Sequence, residues 1–229
     1  MGWLKRISRR MFGGNPLHEA AGAGRRSFAW LPSNPGAVAA MTATQTELRT
    51  KSRDLVRRNA WANAALESYV ANAIGTGIKP QSLVADPTIR ERIQALWRDW
   101  TLDADAAGLT DFYGLQALAC RAMLEGGEAL IRIRYRRKED GLAVALQLQV
   151  LEPEHLPVTL NTTAENGNVI RAGIEFDRLG RRVAYHLYRT HPEDGALAPM
   201  SGNGGMETVR VDASEILHLF RPLRPGQIR

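Results

Sequence analysis

Five basic side chains crowd one short stretch, at Arg132, Arg134, Arg136, Arg137 and Lys138. Residues two apart in an extended chain share a face, at steps of roughly 6.6–6.8 Å, so Arg132, Arg134 and Arg136 form one cationic row. Such a row can track phosphates, or it can pair with carboxylates of a neighbouring strand or subunit; both readings stand. A second basic set, Arg49, Arg53, Arg57 and Arg58, falls on the polar face of a helical pattern and offers the same chemistry, contacts to DNA or to another subunit.

Other reactive side chains do not assemble into a motif. The chain has no G-x-x-x-x-G-K-[ST] phosphate loop, no G-x-S-x-G elbow and no H-E-x-x-H pair. Glu152, Glu154 and His155 carry metal-ligating atoms, but Pro153 forces a turn and three adjacent residues rarely complete a site. Asp103 and Asp105 would serve a metal-dependent nuclease only with a third carboxylate, and otherwise read as polar residues at a helix end. Cys120 sits on an apolar helix face with no base at a recognisable distance, which reads as a buried structural cysteine. The sequence therefore nominates no catalytic residue, no cofactor-binding residue and no metal ligand.

The elements that must position these residues follow from periodicity. Residues 1–40 are rich in Gly, Ala, Arg and Pro and read as a flexible basic arm, with one short helical piece at 3–11. Leu48, Leu55, Ala62, Leu66, Tyr69, Val70 and Ala73 predict a single helix over 44–74 with that stripe buried. Asp86 and Asp111 cap two further helices, 87–103 and 111–125, the first burying Ile89, Ile93, Leu96, Trp97 and Trp100, the second Leu115, Leu118, Ala119, Ala122 and Met123. At Gly126-Gly127 the period changes from helical to alternating. Residues 128–138 read as a half-buried strand, with Ile131, Ile133 and Tyr135 on the core face and the arginines opposite. Asp140-Gly141 turns it into a second strand through Leu146, Leu148 and Val150. Residues 169–176 and 182–188 read as another hairpin, 191–205 as a long loop, and 209–211 with 216–220 as the strands that close the sheet. Helices first and strands after make the fold α+β: a helical region over 41–127 and a β-rich region over 128–229 of the same unit.

Composition bounds the partners. The chain of 229 residues carries a net charge of +6, but residues 1–60 hold +8 and the remainder −2. Basicity is thus an N-terminal property, suited to a polyanion or to a solvated tail. No apolar run reaches the ~18 residues that suggest a membrane span, and one cysteine rules out an internal disulfide and a Cys-rich zinc site, which fits a cytosolic folding compartment.

Several stretches, taken in order, resemble one family. LRTKSRDLVRRNAWANAALESYVANAIGTGIKPQS (48–82) is similar to the lambda-type phage portal signature, an "R-S-R-D-L-x-R-N" helix running into "V-G-T-G-I-x-x-Q". The similarity continues through LWRDW (96–100), Phe112-Tyr113-Gly114, GGEALIRIR (126–134), LQVLEPEHL (148–156), IRAGIEFDRLGRRVAYHLYRTHP (170–192) and ILHLFRPLRPGQIR (216–229). The resemblance implies a structural virion protein: a homo-oligomeric ring, commonly of twelve sister subunits, at one capsid vertex, formed in the host cytoplasm. Double-stranded DNA would pass through its channel during packaging and ejection. Terminase, capsid or scaffold protein and head–tail connectors would be partners, with no membrane and no cofactor. It also implies that this chain corresponds to the wing-like N-terminal portion, with the stem and clip of the family absent from it, and that Glu215 to Phe220 forms an edge or poorly covered strand. The alternative reading is a DNA-binding module built from the basic arm and the Arg132, Arg134, Arg136 strand.

Overall fold

The computed structural model describes residues 35–194 and 207–229. Among the described residues four helices come first: α1 (Ala37–Arg58), α2 (Ala60–Ile74), α3 (Pro87–Asp103) and α4 (Phe112–Gly126). Eight strands follow: β1 (Glu128–Tyr135), β2 (Leu146–Leu151), β3 (Thr162–Thr163), β4 (Val169–Arg171), β5 (Ile174–Phe176), β6 (Arg182–Tyr188), β7 (Thr208–Asp212) and β8 (Ile216–Phe220). The fold is α+β, as the change of period at Gly126-Gly127 predicts.

The expected helix over 44–74 is two helices, and it begins earlier, at Ala37, inside the stretch read as an arm. The break is Asn59. Its backbone is extended, and its side-chain oxygen accepts from the N–H groups of Trp61 (2.9 Å) and Ala62 (3.2 Å), so it caps α2 instead of continuing α1. The predicted arm up to residue 34 and its short helical piece lie outside the described residues, as does the expected loop beyond Asp194. The caps at Asp86 and Asp111 are as expected: Asp86 accepts from Thr88 and Ile89, and Asp111 from Gly114.

The β-rich part is two sheets, where one was expected. The first has the order β2-β1-β8 and the second β3-β4-β5-β6-β7, both antiparallel. β7 and β8 therefore close different sheets, and β8 lies at an edge of the first. The residues read as one strand over 169–176 are themselves a hairpin, because Ala172 (φ 48°) and Gly173 (φ 78°) both take positive φ and turn β4 back into β5. A sequence of alternating apolar residues hid that turn.

Pairing register shows how the first sheet is buried. Leu146, Leu148 and Val150 stand opposite Tyr135, Ile133 and Ile131. That face packs on the helices, where Leu146, Leu148 and Val150 meet Trp100, Ala104 and Leu115. Trp97, Trp100 and Phe112 interlock there with ring centroids 4.9–5.1 Å apart, and the Trp100 indole donates to the Leu146 carbonyl (2.8 Å). The other face, beginning with Glu128 and Leu130, packs on the second sheet, where Leu130 joins Leu156, Ile174, Tyr185, Leu187, Val211 and Ile216 in one core. The order of layers is thus helices, three-stranded sheet, five-stranded sheet. The arginine face of β1 looks toward the second sheet.

Candidate functional site

The most charged place in the interior is Glu128, the first residue of β1. α4 ends at Gly126, and Gly127 turns the chain so that Glu128 enters the core with its side chain 1% exposed. A carboxylate there is tolerable only if it is paired and its lone pairs are filled. Four side chains do this. Arg49 reaches in from α1, with Nη2 2.7 Å from Oε1 and Nε donating to the Gly126 carbonyl (3.0 Å). Gln45, one turn earlier on α1, also donates to Oε1. His218 of β8 meets Oε2 through Nε2 at 2.9 Å. Arg229 comes from the segment after β8, with Nη2 2.6 Å from Oε1.

Arg229 uses its whole donor set. Nε and Nη2 face Glu128, Nη1 donates to the carbonyls of Leu156 (3.0 Å) and Ala172 (3.1 Å), and Nη2 also donates to Pro153 (3.3 Å). One guanidinium with five N–H groups thereby ties the start of β1, the turn after β2 and the β4–β5 turn. Burial by itself would push the Glu128 carboxyl up, and that is the largest single influence. The His218 hydrogen bond and the Arg229 charge outweigh it and hold the carboxyl at about 2. Burial pushes the His218 imidazole below its ordinary value, so the ring is neutral at pH 7.

Beside this hub lies a second ion-paired group. Arg53, on the same face of α1 as Arg49, grips Glu154 with both Nη atoms (2.7 and 3.1 Å) and lies 3.4 Å from Glu152. Glu152 and Glu154 meet His191, not the neighbouring His155 that the sequence suggested, in an arrangement whose donor atoms lie within 4.8 Å of one another. The cation this trio faces is the chain's own Arg53. His191 Nδ1 moreover accepts from the Glu193 N–H (3.2 Å), and Nε2 lies 3.3 Å from Glu152 without a hydrogen bond to it. His155 instead hydrogen-bonds to the Tyr188 carbonyl through Nδ1 (3.1 Å).

The sequence placed Arg49, Arg53, Arg57 and Arg58 together on an outward face. For Arg49 and Arg53 that placement is corrected: α1 turns them inward, where they supply the cations that Glu128 and Glu154 require. Its leucines are turned out, Leu48 62% and Leu55 55% exposed. Arg57 and Arg58 do stand at the surface, both paired with Asp54 (2.6 and 2.8 Å). Arg132 and Arg134 line a cleft between the two sheets, and Arg136 donates to Gln147 (2.8 Å) across the β1–β2 pair. Asp105 accepts from the backbone of Ala107, Leu109 and Thr110 and shapes the loop after α3. Cys120 is half-buried, more open than expected.

Sequence reasoning missed Glu128, Gln45, Glu154, His218 and Arg229 as a unit. A carboxylate straight after a Gly-Gly helix stop, in an otherwise apolar strand start, was the available signal. Glu128, Arg49, Arg53, Glu154 and Arg229 come from stretches that lie far apart in the chain and meet at one point. The hub is a keystone: its charges and hydrogen bonds are spent on one another.

Comparison with known proteins matches the sequence to a family. The family described as phage portal protein, lambda family, matches residues 23–229. A curated protein of Halomonas phage phiHAP-1, described as a probable portal protein, is 31% identical over 192 residues. The aligned part is 80% of this chain and 36% of that protein, so the chain spans about a third of that relative's length. With a match that runs from residue 23 through the hub to Arg229, the chain belongs to the lambda family of phage portal proteins.

Proposed function

We propose that this chain contributes the wing-like part of a portal subunit, a structural element of the virion. In this reading, copies stand side by side in a ring, twelve in the commonest arrangement, at one vertex of the capsid, and double-stranded DNA enters and leaves through the ring's centre. Sister subunits, terminase, capsid or scaffold protein and head–tail connectors are the partners; the chain acts without catalysis. The observation that carries the reading is the family match over residues 23–229. Two features of the fold support it. The interior is tied by a multi-armed ion pair that holds α1, β1, β8 and the 221–229 segment in fixed relation, as a load-carrying part requires. Large apolar side chains stand open on the helices, Leu48 and Leu55 on α1 and Ile89, Ile93 and Leu96 on α3, surface that assembly would cover.

The DNA-binding alternative loses its footing on β1 and α1. Arg49 and Arg53 are committed to internal carboxylates, and Arg132 and Arg134 line a concave cleft instead of a convex track. No helix among the described residues is long and apolar enough to cross a membrane. Immunogold labelling of phage particles with antibody raised against residues 37–229 tests the proposal. Label at a single vertex is expected; label spread over the shell, or on the tail tip, would refute it.

A further inference from the structure

On the face of β1 that looks toward the second sheet, Glu128 and Leu130 are sealed, and Arg132 and Arg134 come next. These two line a cleft of about 430 Å³ whose walls include Gln149 of β2 and Leu187, Tyr188 and Arg189 from the end of β6. The charge in this cleft is not balanced as it is around Glu128, Glu154 and Glu175. Arg49, Arg53, Arg210 and Arg229 each meet a carboxylate at 2.6–2.8 Å. Arg132 has only Glu215, 4.0 Å away, and its Nε is shut off from solvent with no acceptor. Arg134 has no hydrogen-bond or ion-pair partner among the described residues, and Arg189 lies 3.9 Å from Glu207, both of them largely exposed. Burial, and then the Arg134 charge, push the Arg132 guanidinium below its ordinary value.

The chain has little with which to correct this imbalance. Residues 195–206 contain no Asp or Glu, and residues 1–34 contain one, Glu19, against six Lys and Arg. Two neighbouring guanidinium groups with no carboxylate nearer than 4.0 Å leave room for a counter-charge brought by another polypeptide. We infer that the cleft between the two sheets receives a carboxylate-bearing segment of a partner polypeptide, whose acidic side chains accept from Arg132 and Arg134. Guanidinium forks match carboxylates in shape as well as charge, and the apolar wall at Leu187 with the Tyr188 ring suits the stem of a Glu or Asp side chain. A DNA duplex presents its phosphates on a rigid convex cylinder and cannot lay them on the floor of so small a concave site. The inference stands on the charge balance of the cleft and is independent of the portal reading.

Fluorescence anisotropy of the whole chain with a fluorescein-labelled hexa-aspartate peptide, at about 0.15 M salt where long-range attraction is screened, tests it. The peptide should bind, and a hexa-asparagine peptide should not. Arg132→Gln and Arg134→Gln should each raise Kd about tenfold, while Arg178→Gln, in the exposed β5–β6 turn, should leave it unchanged. The side-chain Nε–Hε resonance of Arg132 should shift on titration, a readout that does not depend on any variant folding. Equal binding by all three variants, or an Arg132 resonance that does not move at saturation, would overturn the inference. So would a labelled DNA duplex that binds more tightly than the peptide and loses more affinity in the same two variants.

Discussion

At the scale of single residues, Glu128 and its partners make the sharpest expectations. Replacing one member of a buried ion pair leaves the other charge uncompensated, at a cost of roughly 3–5 kcal/mol, a large share of the ~5–15 kcal/mol that holds a domain folded. Glu128→Gln keeps the shape and removes the charge that Arg49 and Arg229 face, so its unfolding free energy from urea denaturation should fall by that amount; a change within ~1 kcal/mol would mean the hub is not the keystone. Arg57→Gln, which touches only the exposed Asp54, should leave the midpoint where it is. Acid should unfold the protein in two stages. The His218 imidazole is held below its ordinary 6.5, so the unfolded chain takes up that proton first and stability begins to drop as pH falls through about 6.5. The Glu128 carboxyl is held at about 2 against an ordinary 4.5. Its contribution is therefore complete above about 4.5 and is lost between there and about 2, and Glu175, held low by its hydrogen bond from Arg210, acts in the same sense. In His218→Gln, whose amide can still donate to Glu128, the first stage should vanish and the second remain when denaturation is followed from pH 7 to pH 3.

Among the elements, α1 is the one whose seating defies its own pattern. It is joined to α2 through Asn59, whose cap is worth about 1 kcal/mol. Asn59→Ala should lower stability by that much and speed amide exchange at Trp61 and Ala62, while exchange in β1 stays unchanged. Helix boundaries set by local chemistry, such as Asp86-Pro87 and Asp111, were legible because a cap and the periodicity it precedes lie within a few residues of each other. So were the arginine alternation of β1 and its hairpin with β2. The seating of α1 was not, because Leu48 and Leu55 point to burial by hydrophobicity, while the winning term is long-range: a carboxylate 79 residues away that needs Arg49. The separation of β7 from β8 into different sheets was equally hidden, since both read as strands and feed one core, through Val211 and Ile216, and only their pairing partners, β6 and β1, distinguish them. The β4–β5 turn escaped because Ala172, a residue that rarely takes positive φ, occupies half of it. Gly77 is the opposite case, a glycine whose place explains itself: a Cβ there would lie 2.2 Å from the Tyr113 ring.

On the scale of the whole molecule, residues 37–229 form one compact unit, helices on one side of the first sheet and the second sheet on the other. Its interior is locked by charge, and its exterior leaves apolar side chains on α1 and α3 for something else to cover. Both properties suit a part that is held among identical neighbours and must not deform when they pull. The assembly proposed for it is the portal ring, and an image of that ring is the direct check. A cryo-electron reconstruction of the portal vertex, or of rings purified from cells that make the whole subunit, should show this fold once in every subunit, with Glu128 clasped between Arg49 and Arg229 and the Leu48–Leu55 face of α1 covered by a neighbour. A vertex ring built from a different fold, or this chain found in another part of the particle, would contradict the account.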